Sequence, residues 1–232
     1  MKTHRFYTQE LKLEHDFWVH QKELLHQWLN VLRFKAGQQV VLFDGRGHER
    51  LYDIKVAARE GVHLQHVTDF EPSLPSIDIY LFWSLLKKDK NEWVLQKATE
   101  LGINHFVPLI TERSDVREAG RNKQERWQKI IVEAAEQCGR SNIPSLREPM
   151  KLQTAFDDYT DIEFLVCQQG SSIEKMQLSN DKSYGLLIGP EGGWSDNEIN
   201  IFHVNNTQHL ALSEFTLRAE TAAIVAAATV LQ

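Results

Sequence analysis

YGLLIGPEGGWSDNEI, residues 184–199, joins a short apolar run to a cluster of glycines and then to a polar segment. The apolar run is typical of a buried strand. Glycine adopts positive φ and lets a ligand approach the main chain, so the cluster suits a turn that presents backbone groups to a flat heterocycle. It has neither of the glycine patterns of phosphate-binding loops. A purely structural turn, with Ser195 or Asp196 capping a helix that has Glu198 in its first turn, fits the same residues.

After the proline- and serine-rich segment EPSLPS, 71–76, strand-like and helix-like segments alternate. The strand-like segments are 77–86, 104–110, 162–167, 184–188 and 208–212. The helix-like segments are 91–102, 121–139, 195–204 and 218–231. This alternation predicts an α/β domain with a parallel sheet covered on both faces, which binds ligands at the carboxyl ends of its strands. The sequence therefore predicts two domains, 1–72 and 73–232.

The N-terminal part has a different pattern. Residues 3–70 predict a β-rich region with one helix at 17–33, where apolar residues follow helical spacing. Asp44 and Gly45 lie between two strand-like runs and predict a hairpin with a type I′ turn.

Charge is distributed unevenly along the 232 residues, which have a formal net charge of −6. Residues 1–151 carry 23 Lys and Arg against 21 Asp and Glu, whereas residues 152–232 carry 3 against 11. Basic patches can therefore exist in the first two thirds of the chain, so the composition permits an RNA partner without requiring one.

Several classes of protein are disfavoured by the sequence. Cys138 and Cys167 form no CxxC pair, and the ten histidines have no metal-binding spacing, so we expect reduced thiols and no metal site. No apolar run reaches the length of a membrane span, and the N-terminal residues lack the apolar core of a secretory signal. We therefore expect a cytoplasmic protein with no membrane contact.

Three charged residues lie where a ligand site is expected. Arg113 follows the strand-like segment 104–110, at the end where ligand contacts occur. Arg218 and Glu220 stand at the start of an alanine-rich helix, and charged groups in such a place are rarely buried unless they are paired. Arg218 and Glu220 are either site residues or an ion pair that fixes a loop, and Arg113 is either a site residue or part of a solvated face.

Seven segments, in this order, resemble the RsmE family of ribosomal RNA uridine methyltransferases in the SPOUT superfamily. They are H-x4-VLR at 26–33, VLFDGRG at 41–47, EWVLQKATELGI at 92–103, PLITERS at 108–114, RWQKIIVEAAEQCGRSNIP at 126–144, LLIGPEGGWSDNEI at 186–199 and LSEFTLRAETAA at 212–223. The resemblance covers nearly the whole chain.

The resemblance implies an N-terminal PUA-like β-barrel that helps to bind RNA, and a C-terminal SPOUT α/β domain with a parallel sheet and a deep trefoil knot. Such knots are rare exceptions among protein folds. It also implies a homodimer that uses S-adenosylmethionine as methyl donor. The implied substrate is N3 of a uridine in 16S rRNA of the small ribosomal subunit, which is uridine 1498 in that family.

The resemblance further implies which residues bind the donor. They are Cys167, Gln168, Leu187, Ile188, Gly189, Pro190, Glu191, Gly192, Gly193, Leu212, Ser213, Phe215, Thr216, Leu217 and Arg218. Ser213 stands where the family usually has glycine, and we expect this small side chain to reshape the pocket slightly.

Methylation of a uridine at N3 requires removal of the N3 proton, so a general base or a cation that stabilises the uridine anion is needed. Arg218 or Arg113 can supply the cation. Glu191 or Glu220 can accept the proton or orient one of these arginines. The candidate RNA contacts are Arg5, His26, Arg33 and Arg46 in the N-terminal domain, followed by Gln137 and Arg140.

Two other functions remain compatible with these residues. One is a non-catalytic RNA-binding or ribosome-assembly protein that keeps the fold. The other is a related SPOUT enzyme that modifies a different position, such as a ribose 2′-hydroxyl. A non-catalytic protein would not bind S-adenosylmethionine, whereas an enzyme would. A related enzyme would be recognised by the position at which it places the methyl group.

Overall fold

The computed structural model describes residues 3–9, 12–169 and 178–231. The chain forms two compact units, the first made of residues 1–74 and 135–143, and the second of residues 75–134 and 144–232. Among the described residues, no helix combines the length and the apolar character that a membrane crossing requires.

A five-stranded sheet forms the first unit. Its strands are β1 (His4–Tyr7), β2 (Asp16–Val19), β3 (Gln39–Phe43), β4 (Glu49–Ala58) and β5 (Gly61–Asp69). They lie in the order β1-β3-β4-β5-β2, with β1 parallel to β3 and the other pairs antiparallel. The short helix α1 (Lys22–Leu25) continues into a π-helical segment, His26–Val31, whose Trp28 is fully buried in the core beside Phe6.

The predicted helix at 17–33 is wrong in its first part. Asp16–Val19 forms β2, which pairs with β5, and the helical conformation begins at Lys22. Phe17 and Val19 turn towards the core while Trp18 is exposed, which is the two-residue period of a strand. Because the same apolar positions also fit a period of 3.6, spacing alone could not separate the two conformations.

The hairpin predicted at Asp44 and Gly45 is confirmed, but its turn differs from the predicted type. β3 and β4 pair antiparallel across a loop that covers residues 44–48 instead of a two-residue turn. Gly45 has a φ of 74°. The Asp44 carboxylate accepts hydrogen bonds from the N–H groups of Arg46, at 2.8 Å, and His48, at 3.1 Å, so the aspartate shapes the loop through its side chain.

Residues 135–143 belong to the first unit although sixty residues, 75–134, separate them from its other segment. Glu49, only 5% exposed, pairs with Arg5 and accepts a hydrogen bond from the Ser141 hydroxyl at 2.8 Å. Arg5 also donates to the carbonyl oxygen of Arg140 at 3.0 Å. A buried charge persists only where it is paired, so this network attaches the segment to the sheet. The sequence pattern gave no sign of it.

The second unit contains a seven-stranded sheet in which all pairs are parallel, as predicted. Its strands are β6 (Asp78–Ser84), β7 (His105–Ile110), β8 (Ser145–Leu146), β9 (Met150–Lys151), β10 (Ile162–Gln169), β11 (Ser183–Ile188) and β12 (Gln208–Ser213). Its helices are α2 (Lys90–Leu101), α3 (Arg121–Cys138, whose last residues count with the first unit), α4 (Leu152–Asp158), α5 (Asp196–Val204) and α6 (Ala219–Leu231).

The strand order is β12-β10-β11-β6-β7-β8, so β11 lies near the middle of the sheet. A Cβ added at Gly185 on β11 would lie 2.9 Å from the rings of Phe164 and Phe82, which come from the two neighbouring strands. This glycine therefore lets large aromatic side chains pack over the strand. β11 ends in the glycine cluster of residues 189–193. The trefoil knot stays a prediction.

Candidate active site

A cavity of about 430 Å³ opens at the carboxyl ends of β10, β11 and β12, where a parallel sheet is expected to bind its ligand. It brings together thirteen of the fifteen residues predicted to hold the donor, and adds Gln169, Trp194, Ala219 and Ala222. The two exceptions are Leu187 and Gly192. The Leu187 side chain is fully buried in the core, and Gly192 lies against Arg113.

The loop after β11 forms one wall of the cavity. Its glycines are required for two different reasons, a positive φ at one position and close packing at two others. Gly193 has a φ of 70°, a conformation that side chains disfavour. A Cβ on Gly189 would lie 3.0 Å from the indole of Trp194, and one on Gly192 would lie 3.2 Å from Cβ of Arg113. The glycines therefore let this loop pack closely while its main chain remains at the cavity.

Arg113, predicted as a catalytic candidate, supports this loop from outside the cavity. Its Nη1 donates to the carbonyl oxygen of Trp194 at 2.9 Å and to that of Gly192 at 3.4 Å. Arg113 is not among the residues that line the cavity. Its guanidinium is therefore placed to fix the conformation of the loop.

The start of α5 is fixed by the capping box that the sequence predicts. The Ser195 hydroxyl accepts from the N–H of Glu198 at 3.2 Å, and the Glu198 carboxylate accepts from the N–H of Ser195 at 2.8 Å. The same carboxylate accepts from the N–H of Glu112, at the end of β7, at 2.9 Å. Glu198 is only 4% exposed, so its buried carboxylate joins the start of α5 to the segment that follows β7.

The segment between β12 and α6 forms the opposite wall. Ser213 lines the cavity, and its hydroxyl accepts a hydrogen bond from the N–H of Phe215 at 3.1 Å. Gln169 at the end of β10 donates to the carbonyl oxygen of Glu214 at 2.8 Å and accepts from the Thr216 hydroxyl at 2.7 Å. The Ser213 hydroxyl therefore stabilises the turn, and Phe215 remains 75% exposed at the cavity.

Lys90, which the sequence did not single out, joins two of the predicted catalytic carboxylates. Its ammonium lies 3.0 Å from Glu191 and 3.2 Å from Glu220. The hydrogen bond to Glu191 is the main cause that raises the pKa of Lys90. Glu191 lines the cavity and Glu220 does not. Lys90 follows Lys87 and Lys88 in the chain, and no spacing distinguishes the third lysine.

Arg218 immediately precedes α6 and lines the cavity with an exposed side chain. Within the described part of the chain, no carboxylate forms an ion pair with its guanidinium. Residues 152–232 contain only three Lys and Arg against 11 Asp and Glu, so a positive side chain is unusual in this part of the sequence. Its charge is therefore available to a bound anion.

Much of the remaining cavity wall is apolar and uncharged. Ile188, Leu212, Leu217 and Ala222 contribute to it. Burial raises the pKa of the Cys167 thiol well above its usual range, so this side chain is a neutral part of the wall. Such a wall suits a flat ring system. Across the described residues, no group of three or more His, Cys, Asp or Glu could hold a metal ion.

The six predicted RNA contacts fall into two groups. His26, Arg33, Arg46 and Gln137 are exposed. Arg5 and Arg140 instead belong to the buried network around Glu49, and burial lowers the pKa of Arg140 to about 10. These two positions do not suit a contact to RNA, because their guanidinium groups face the interior of the first unit.

Comparison with known proteins identifies the family. A model described as RNA methyltransferase domain matches residues 72–231, and one described as RNA methyltransferase PUA domain matches residues 29–65. Ribosomal RNA small subunit methyltransferase E of Bacillus subtilis (strain 168) is 31% identical over 219 residues, which cover 88% of this chain and 85% of the relative. The chain belongs to the ribosomal RNA small subunit methyltransferase E family.

Two solved structures support this membership in the small subunit methyltransferase E family. One is the enzyme of that name from Neisseria gonorrhoeae bound to S-adenosyl methionine, with a TM-score of 0.83 and 28% identity, covering 98% of this chain and 96% of the other. The second is a putative methyltransferase from Legionella pneumophila in complex with the bound cofactor SAM, with a TM-score of 0.82 and 30% identity, covering 98% and 96%. The predicted resemblance and the predicted fold class, apart from the knot, are confirmed, whereas the predicted domain bounds 1–72 and 73–232 stay a prediction.

Proposed function

We propose that this protein transfers a methyl group from S-adenosylmethionine to N3 of a uridine in 16S rRNA. The observation that carries the proposal is the cavity at the strand ends, which combines glycine main chain, apolar walls and the cation Arg218, which has no ion-pair partner among the described residues. Relatives named as small subunit methyltransferases, and structures that hold S-adenosylmethionine, support the same activity.

The residues present fit the donor. A volume of about 430 Å³ lies within the range of about 300–1,000 Å³ for small-molecule pockets. The apolar side chains of Ile188, Leu212 and Leu217 would contact the flat adenine ring, and the main chain around Gly189 would bond its polar edge. When bound, the donor supplies a methyl group activated by a sulfonium.

The protein's contribution to the chemistry is to position the uridine and to handle its N3 proton. Arg218 would stabilise negative charge on the uridine oxygens as N3 loses its proton, because its guanidinium has no ion-pair partner among the described residues. Glu191 is the carboxylate at the cavity and would accept that proton. Glu220 would hold Lys90, and Arg113 would hold the loop.

Access to N3 requires an unpaired or flipped base, since N3 lies on the Watson–Crick edge. The exposed His26, Arg33, Arg46 and Gln137 are candidates for contacts to the RNA around it. We also infer a homodimer with a knotted second domain, working in the cytoplasm where small ribosomal subunits are made. Family membership supports these inferences.

The test uses small subunits from a strain that lacks this protein. Incubation with purified protein and radiolabelled S-adenosylmethionine should give 3-methyluridine in nucleoside digests of the 16S rRNA. Label in a ribose 2′-O-methyl nucleoside would instead support the related enzyme. Absence of both methylation and donor affinity in titration calorimetry would support an assembly protein.

A further inference from the structure

Phe215 is an apolar ring that lies at the cavity we propose for the donor but is not buried in it. It is 75% exposed, more than any other large apolar residue among those that the structure describes. Single exposed apolar side chains are common on protein surfaces, so exposure alone does not indicate a role. Two further features distinguish this ring, namely its place at the cavity and the way in which its main chain is held.

The turn that carries Phe215 is fixed by hydrogen bonds on both sides of the ring. The N–H of Phe215 donates to the Ser213 hydroxyl at 3.1 Å. The Gln169 side chain donates to the carbonyl oxygen of Glu214 at 2.8 Å and accepts from the Thr216 hydroxyl at 2.7 Å. A ring on a preformed turn loses little conformational entropy when a ligand binds, because only its two side-chain torsions have to be fixed.

The proposed reaction brings two flat ring systems to this cavity, and they need different surfaces. Ile188 and Leu212 are buried in the cavity wall, where we expect them to contact the adenine ring of the donor. The sequence predicts Phe215 as a donor contact as well, but its ring faces solvent. A base that belongs to an RNA arrives from solvent, so the exposed ring is the apolar surface that the base meets first.

An aromatic ring suits a base that has left its stack. A flipped base loses its stacking neighbours in the RNA and is stabilised by stacking on aromatic or apolar side chains. Phenylalanine is flat and uncharged, and it can stack on the face of any base. Arg218 lines the same cavity and can donate to the oxygens on the edge of a uracil. The face and the edge of one base can therefore be held by different side chains.

We propose that Phe215 stacks on the flipped uracil and holds it at the cavity for methyl transfer. The inference rests on the proposed function, because that function supplies the uridine. Stacking stabilises an extruded base without identifying it, since every base has a flat face. Phe215 therefore provides affinity for the flipped base, and the choice of uracil depends on the groups that meet its edge.

The experiment measures kcat/KM for small subunits from a strain that lacks this protein, at saturating S-adenosylmethionine. Phe215→Ala, Phe215→Leu and Phe215→Tyr are compared with Val204→Ala, which removes an apolar side chain that is 72% exposed and lies outside the cavity. Loss of the stacked base should lower kcat/KM in Phe215→Ala by roughly 5- to 150-fold. Phe215→Leu keeps the apolar volume without a ring face and should lose nearly as much. Phe215→Tyr and Val204→Ala should stay close to the wild-type value.

Donor binding separates a contact to the base from a contact to the donor. Titration calorimetry should give the same affinity for S-adenosylmethionine in the wild type and in all four variants. Weaker donor binding by Phe215→Ala would mean that the ring contacts the donor, and it would overturn the proposal. Wild-type activity in Phe215→Leu would also overturn it, because an apolar side chain without a ring face would then be sufficient.

The nucleoside that is methylated separates this inference from the proposed function. Full activity of Phe215→Ala, in an assay where the wild type forms 3-methyluridine, would overturn the stacking contact alone. Methylation of a different position with the same dependence on the ring would support the stacking contact and overturn the proposed reaction. A wild type that methylates no nucleoside would overturn both.

Discussion

The ammonium of Lys90 lies 3.0 Å from the carboxylate of Glu191, which joins the start of α2 to the loop after β11. The same ammonium holds Glu220 on α6 at 3.2 Å. Lys90 thus connects the loop after β11, which forms the glycine-rich wall of the cavity, to α6. Without it, two carboxylates would be left close together, and their repulsion would displace the loop.

Lys90→Met should weaken the binding of S-adenosylmethionine by roughly two- to thirtyfold, because Lys90 forms two partly exposed ion pairs, each of which contributes about 0.2–1 kcal/mol. Titration calorimetry measures the change. Lys90→Arg should restore most of the affinity, and Lys129→Met, an exposed lysine of the same unit, should have no effect. Equal affinities in all four proteins would show that the ion pairs do not support the cavity.

The stabilising effect of Lys90 should be constant from about pH 7 to about pH 9 and decline only at higher pH. Its pKa is raised above the ordinary lysine value, so the folded state binds the proton more tightly than the unfolded chain does. The contribution is complete below the unfolded pKa of about 10.4 and is lost as pH rises through the folded pKa. Melting temperatures of the wild type and Lys90→Met, measured across this pH range, test the prediction. A difference in melting temperature that already disappears by about pH 8 would contradict the raised pKa of Lys90.

Arg113→Ala should weaken donor binding while leaving turnover at saturating donor close to that of the wild type. The reason is that Arg113 donates to the carbonyl oxygens of Gly192 and Trp194 outside the cavity. Arg117→Ala, a change of another exposed arginine of the same unit, is the control. Loss of turnover at saturating donor with unchanged donor affinity would return Arg113 to the list of catalytic residues.

Glu49→Gln should destabilise the protein by about 3 kcal/mol, since it leaves the half-buried Arg5 without a counter-charge. Urea denaturation followed by tryptophan fluorescence measures the change. Asp53→Asn is the matched control, because it removes an exposed partner of Lys55 in the same unit and should cost less than about 1 kcal/mol. Similar losses of unfolding free energy in Glu49→Gln and Asp53→Asn would mean that the buried network contributes little to stability.

Local patterns predicted the second unit well. Apolar runs predicted the parallel strands, and Ser195 with Glu198 predicted the start of α5. Strands and helix caps can be predicted in this way because each depends on residues that are close together in the chain. The same kind of reasoning placed a helix over Phe17 to Val19, where a strand of four residues is too short to reveal its period.

Contacts between distant residues could not be predicted in this way. Lys90 meets Glu191 across 101 positions, and Arg5 meets the Arg140 carbonyl across 135. Nothing in the composition around either residue signals its partner. The same limit explains why Arg5 resembled a phosphate contact in the sequence but lies in a buried network in the structure.

The decisive experiment concerns Arg218, the exposed cation of the cavity that we propose for the donor. Arg218→Ala is compared with Arg117→Ala in a methylation assay with saturating S-adenosylmethionine and 16S rRNA. We expect Arg218→Ala to fold and to bind the donor but to lose at least about 100-fold in turnover, as is typical when a group that stabilises developing negative charge is removed. Turnover equal to that of the wild type would contradict the account, because the cavity would then carry out the reaction without its cation.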